Sequence, residues 1–275
     1  MSKLRILYVS SEISPFLETS KVADYVRQLP EAMQERGMEI RILVPKFGCI
    51  NERKSRLHEV VRLSGINITV GEEEKPLIIK VASIPTAKLQ VYFIDNDDYF
   101  HRKTALLDKD DKFYADNDER AIFFCKGVLE TVKKLGWSPD IIHCSDWMTA
   151  LIPMYLKTHY KKDPIYINSK SVFTVFDNYF PEKFDKSITS KAKMSDISDE
   201  LLEPLATGDY EGFVRMGVHY ADTVFKAQDS YHASHDKIFD DYATKNIEYM
   251  PSEDNLEFYY NFYNELVGVD ELVAG

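Results

Sequence analysis

Leu4-Arg-Ile-Leu-Tyr-Val-Ser10 opens the chain with a short apolar run, rich in the aliphatic residues of a strand buried on both faces. Ser10, Ser11, Ser14 and Pro15 mark a loop after it. From Val22 to Arg36 the apolar residues Val22, Val26, Leu29 and Met33 fall at helical spacing, and Gly37 supplies the stop. Ile40 to Val44 repeats the buried-strand pattern. Strand, helix and strand in that order predict a parallel βαβ unit, which binds ligands beyond the carboxyl end of its first strand. The candidate site is therefore the loop from Ser10 to Lys21.

Working outward, Glu59–Leu63, Ile66–Val70, Leu77–Ile84 and Leu89–Ile94 read as short strands punctuated by Gly65 and by Gly71 to Pro76. They predict a β-hairpin extension of the sheet, with Glu72-Glu73-Glu74 in a solvated turn. Asp116–Leu135 reads as a long helix and Ile141–Cys144 as a strand. Asp146–Tyr160 reads as a helix capped by Asp146 and kinked at Pro153. After a strand at Ser171–Val175, the lysine- and serine-rich stretch 180–209 predicts a mobile loop with one helical turn around Leu201. Helices follow at Tyr210–Tyr220 and Ser230–Tyr242, with strands at Thr223–Lys226 and Ile247–Tyr249. In the C-terminal tail, 253–275, Leu256, Tyr259, Tyr260, Tyr263 and Leu266 form a helical stripe that must pack on the body or on a partner. The fold class is α/β: one Rossmann-like domain over residues 1–275, an open parallel sheet flanked by helices.

A net charge of -11 argues against nucleic acid or an anionic membrane as partner, while leaving room for a small anion in a local basic cleft. The 275 residues, 44% hydrophobic, suffice for a globular core. Cys49, Cys125 and Cys144 lack paired spacing and read as reduced core residues. No signal peptide or apolar span is apparent, so a cytoplasmic location is expected. His143 reads as a satisfied core histidine. His232 and His235 sit at i, i+3 without a third ligand, so no metal site is expected. The lysines from Lys183 to Lys193 read as a solvated face rather than a phosphate clamp.

Several motifs together carry a resemblance. Arg5-Ile-Leu-Tyr-Val-Ser-Ser-Glu-Ile-Ser-Pro-Phe16, Ala23-Asp24 through Ala32, Arg41-Ile-Leu-Val-Pro-Lys46, Val91-Tyr-Phe-Ile-Asp95 and Pro139 to Trp147 run in order along the chain. So does Met216-Gly-Val-His-Tyr-Ala-Asp-Thr-Val224. Together they resemble bacterial glycogen synthases and plant starch synthases, retaining glucosyltransferases of family 5 with the two-domain GT-B fold. The resemblance implies the N-terminal half of that fold, no cofactor, and ADP-glucose as the donor. It also implies that transfer needs a second domain, which this sequence does not contain.

Departures from the family pattern cluster on the donor side. Where the family has Lys-Thr-Gly-Gly-Leu-Ala-Asp, this chain has Glu18-Thr19-Ser20-Lys21-Val22-Ala23-Asp24. Glycines let backbone N–H groups approach a phosphate, and Lys21 obstructs that approach. Glu18 puts an anion near a diphosphate; at roughly 4 Å and an effective dielectric near 20 each unit pair is worth about 4 kcal/mol before solvent screening. The family's Asp-Trp-His is Asp146-Trp147-Met148, and its His-Asn is Phe176-Asp177. Phenylalanine cannot donate a hydrogen bond to a sugar. No intact catalytic residue is expected, with Phe176 at the histidine position. Tyr99, Asp146, Trp147 and Asp177 are the candidate glucan contacts.

Three functions are compatible with these residues. The first is a glucan- or partner-binding module that is not catalytic alone. The second is a glucosyltransferase completed by a separate second-domain chain. The third is a regulatory or structural subunit acting through its tail, with self-association left open.

Overall fold

The computed structural model describes residues 3–84, 86–231, 233–242, 246–247 and 255–268. Among the described residues ten strands form the sheet: β1 (Arg5–Ser10), β2 (Glu39–Pro45), β3 (His58–Glu59), β4 (Ile66–Val70), β5 (Glu73–Ile84), β6 (Leu89–Asp95), β7 (Ile141–Ser145), β8 (Lys170–Val175), β9 (Thr223–Lys226) and β10 (Asn246–Ile247). Their order is β10-β9-β8-β7-β1-β2-β6-β5-β3, with β4 paired to β5. From β10 to β6 the pairs are parallel, and β3, β4 and β5 join antiparallel. The chain runs outward from β1 to β2 and β6, then returns to β7 on the other side of β1. The strand order therefore reverses between β1 and β7, and such a switch opens a crevice at the carboxyl ends of the strands.

The helices are α1 (Lys21–Glu35), α2 (Asp97–Phe100), α3 (Asn117–Leu135), α4 (Ile152–Lys157), α5 (Ile188–Ala192), α6 (Tyr210–Tyr220), α7 (Ala233–Asp241) and α8 (Asn255–Leu266). Ser20 starts α1 by accepting the Val22 N–H, and α3 ends at Gly136 in a left-handed conformation (φ 62°) that glycine adopts without a Cβ penalty. Gly217 lets α6 lie on β8, because a Cβ there would meet the Phe173 ring at 2.4 Å.

Several expectations are corrected. The predicted helix from Asp146 to Tyr160 is a 3-10 turn at Trp147–Thr149 followed by the separate helix α4. Pro153 lies in the first turn of α4, where its missing N–H costs nothing, so it starts a helix instead of kinking one. The predicted strand Glu59–Leu63 reduces to His58–Glu59, and the chain then turns with Val61 exposed. Glu73 and Glu74 belong to β5, which runs through Pro76, so the turn is confined to Gly71 and Glu72. Cys49 is exposed, whereas Cys125 and Cys144 are buried; all three are free thiols. Stretch 180–209 holds α5 and a 3-10 segment at Glu200–Thr207, and it buries Phe180, Phe184, Ile188, Ile197, Leu202 and Leu205. Three of its four lysines form ion pairs: Lys183 with Asp209, Lys191 with Asp118 and Glu119, and Lys193 with Asp199. The predicted helix Ser230–Tyr242 is α7, and of the strand Ile247–Tyr249 only Ile247 is described. His232 lies outside the described residues, and nothing is described of the His235 side chain.

The tail packs on the body. Tyr259 and Tyr263 of α8 are buried over the sheet face that carries Tyr8, His143, Thr174 and Phe225. The Tyr8 hydroxyl donates to the Tyr263 oxygen at 3.3 Å, and that oxygen lies 2.6 Å from Nδ1 of His143. Nε2 of His143 lies 2.6 Å from the Thr174 hydroxyl, and the Tyr25 hydroxyl donates to Tyr259 at 2.7 Å. Burial lowers the His143 pKa to about 3, so the ring is neutral and satisfied at both nitrogens, as a core histidine should be. Among the described residues no helix is long and apolar enough to cross a membrane.

Candidate functional site

The crevice at the β1/β7 switch is built on two buried carboxylates. Asp146 follows β7 directly, at a positive φ of 71° that turns the chain sharply off the strand. Its Oδ2 accepts the Ser11 N–H at 2.9 Å and the Ser11 hydroxyl at 2.5 Å, and its Oδ1 accepts the Met148 N–H at 2.8 Å. Burial pushes its pKa up to about 7 against these donors, and the neighbouring Glu12 charge adds to the rise. Asp146 thus ties the end of β1 to the turn after β7. A rigid carboxyl that titrates near neutrality can hold or release a proton there.

Glu12 is the second carboxylate, 3% exposed. One oxygen accepts the Thr19 N–H at 2.6 Å and the Thr19 hydroxyl at 2.7 Å, and the other accepts the Ser20 hydroxyl. The loop therefore closes on its own anion. A Thr19 N–H that a phosphate-binding loop would offer to its ligand is spent on Glu12. Glu18 is exposed and accepts the Ser14 hydroxyl at 2.5 Å; Lys21 and Asp24 are exposed in the first turn of α1. The helix dipole alone favours an acidic residue at Asp24.

Phe176 follows β8 and is 5% exposed, its ring edge-on to Tyr25 at 5.2 Å. Asp177 beside it is exposed. Loop 18–21, Asp24, Asp146, Phe176 and Asp177 are all carried by elements at the carboxyl ends of β1, β7 and β8. Trp147 is there too, but it is buried among Phe113, Phe180 and Phe213 and presents no face to a sugar. Tyr99 follows β6, two strands from β1; it is buried against Phe100 and Phe123, and its hydroxyl donates to Glu119 at 3.1 Å. Sequence reasoning missed Glu12 as a functional residue. The available signal was a glutamate followed seven and eight residues later by Thr19 and Ser20, just ahead of a helix. Among the described residues no cluster of three or more His, Cys, Asp or Glu could hold a metal ion.

An open, mostly parallel α/β sheet with its crevice at this switch is a Rossmann-like domain whose ligand site lies at the carboxyl ends of its strands. The family model described as starch synthase catalytic domain matches residues 5–239. The chain belongs to that family, glycosyltransferase family 5. It is 39% identical over 219 residues to the glycogen synthase of Chlorobium limicola, covering 79% of this chain and 44% of that protein. It is 36% identical over 256 residues to the glycogen synthase of Pelodictyon phaeoclathratiforme, covering 93% of this chain and 51% of that one. In fold it resembles the catalytic domain of starch synthase IV from Arabidopsis thaliana bound to ADP and acarbose, with a TM-score of 0.74, 20% identity, and 90% of this chain and 52% of that one covered. The chain spans about half the length of the curated relatives it matches. It is a glycogen/starch-synthase-like protein.

Proposed function

We propose that this domain binds α-glucan or a protein partner and does not transfer glucose by itself. The observation that carries the reading is Phe176. At the position where the family places a sugar-contacting histidine, the chain buries a phenyl ring against Tyr25. Hydrocarbon there supplies no hydrogen bond to a donor sugar and no proton. The Glu12 latch on Thr19 and Ser20 acts in the same direction, because loop donors already satisfied by a carboxylate gain little from a diphosphate. The starch synthase IV structure holds both ADP and acarbose; for this chain the altered residues weigh against the nucleotide and leave the glucan. Tyr179, two residues after Asp177, packs edge-on to Tyr210 at 5.5 Å and is 41% exposed, so part of its ring can meet a sugar at this end of the sheet.

Glycogen co-sedimentation combined with a transfer assay tests this. The purified chain is expected to pellet with glycogen, to bind less after Tyr179→Ala, and to incorporate no glucose from ADP-glucose. Glucose incorporation by the chain alone would overturn the proposal. A second reading, a glucosyltransferase completed by a separate second-domain chain, is favoured by Asp146, whose buried carboxyl is held rigidly by Ser11 and Met148. Activity appearing only when a second-domain chain is added would select it. A role for the tail as partner-binding element must use the outward side of α8, since Tyr259 and Tyr263 face the body.

A further inference from the structure

Away from the crevice, a cleft of about 520 Å³ opens between the β4–β5 hairpin, α3, the turn after α4 and the end of α5. Its size lies within the roughly 300–1,000 Å³ of small-molecule sites. Lys126 of α3, 3% exposed, lies against it, with Asn67, Glu130, His159, Ser190 and Lys193 also lining it. The Lys126 ammonium donates to the carbonyls of Thr69 at 2.9 Å, Lys191 at 3.3 Å and Lys193 at 3.4 Å. No carboxylate pairs with it among the described residues. Glu130, one turn further along α3, is engaged by the Tyr160 hydroxyl at 2.6 Å and by Lys133 at 3.3 Å. The other ionisable groups at the cleft already have partners: His159 lies 2.6 Å from Asp196, and Lys193 lies 2.6 Å from Asp199.

The ammonium also lies 5.9 Å from the centre of the Tyr155 ring, but neither carbonyl dipoles nor a ring face supplies a counter-charge, and buried charges are normally paired. Burial accordingly lowers the Lys126 pKa to about 8, which still leaves it mostly protonated at neutral pH. The two longer bonds, to Lys191 and Lys193, are the weakest of the three, so one N–H can turn to a ligand oxygen at small cost. Ser190 and Asn67 line the same cleft; the Ser190 hydroxyl donates to the Ser187 carbonyl at 2.7 Å and the Asn67 amide to Glu74 at 3.0 Å, so Lys126 is the group that would hold such an oxygen. We propose that this cleft binds a small phosphate-bearing anion, with Lys126 as its counter-ion. The solvated lysine face expected from the sequence thus contains a phosphate position, set by Lys126 on the neighbouring helix. An anion there would also brace α5, whose Lys191 reaches Asp118 and Glu119 on α3. The site is independent of the glucan reading and shares no residue with it.

The test is titration calorimetry of the full chain with inorganic phosphate and with glucose 1-phosphate, at constant ionic strength set by chloride. Binding is expected with both or with the ester alone, together with a ligand-dependent rise in Tm. Ser190→Glu places a like charge in the cleft from an exposed position, and should weaken binding about tenfold or more. Ser190→Gln, equal to glutamate in size but uncharged, controls for bulk and should weaken binding much less than Ser190→Glu. Lys126→Met should abolish binding if the variant folds; the Ser190 pair decides the matter if it does not. Tighter binding of glucose 1-phosphate than of phosphate would identify a sugar phosphate, and equal binding the free ion; either upholds the site. No binding of either probe at millimolar concentration, or equal binding by wild type and Ser190→Glu, would overturn it.

Discussion

Tyr263→Phe removes one oxygen from the middle of a buried chain of hydrogen bonds. In the native protein that oxygen accepts from Tyr8 and lies 2.6 Å from His143 Nδ1, with the tyrosine itself 0% exposed. The ring stays, so no cavity opens; what is lost is the partner of a buried imidazole nitrogen and of a buried phenol. Leaving such a group unsatisfied costs about 1–3 kcal/mol. In a domain of this size each kcal/mol moves Tm by roughly 2–4 °C, so a fall of about 2–12 °C is expected. Tyr260→Phe, three positions earlier on the same helix and half-buried, is the control and should stay within about 0.5 kcal/mol of wild type. Urea unfolding of the three proteins should show a lower midpoint with an unchanged slope for Tyr263→Phe only. A Tyr263→Phe protein as stable as wild type would refute the docking of α8 on the β1–β7–β8 face. It would also return the tail to the candidate partner surfaces.

Phe176→Ala should cost about 3–5 kcal/mol in the same unfolding assay, because it empties a buried position against Tyr25; a neutral result would mean that the ring is not packed as described. Gly217→Ala drives a methyl into the Phe173 ring and should cost about 1–3 kcal/mol. His143 has a folded pKa of about 3 against about 6.5 unfolded, so the stability it confers is present above pH 6.5 and is lost as pH falls toward 3. Its ring resonances should keep neutral-imidazole positions below pH 5 while the protein stays folded, and a titration near 6.5 would contradict its burial. Glu12→Gln should speed hydrogen exchange at the Thr19 amide; unchanged protection would show that something else holds the loop.

Much of this architecture is written in local patterns. β4 and α6 fall on the residues that periodicity assigns, because Ile66 to Val70 is a strand bounded by glycines and Tyr210 to Tyr220 carries an apolar face behind the Asp209 cap. The βαβ opening is legible for the same reason, and with it the position of the crevice. Stretch 180–209 is obscure because its buried residues, Phe180, Phe184, Ile188, Ile197, Leu202 and Leu205, are spaced irregularly among charges and become apolar surface only once the sheet is in place. The direction of Trp147 and Tyr99 is equally invisible, since an aromatic at the end of a strand reads the same whether it meets solvent or Phe213 and Phe123. Lys126 escapes for a different reason: within a helix of mixed residues, nothing local says that its three donors meet carbonyls from β4 and from the residues around α5.

In the proposed reading, the donor side of this site is closed by its own residues. Calorimetric titration of the purified chain with ADP-glucose and, separately, with a maltooligosaccharide tests it most directly. Heat on adding the maltooligosaccharide and none on adding ADP-glucose is the predicted result. Saturable, stoichiometric binding of ADP-glucose would contradict it, because it would require the Glu12 latch to open and Phe176 to yield its place to a sugar.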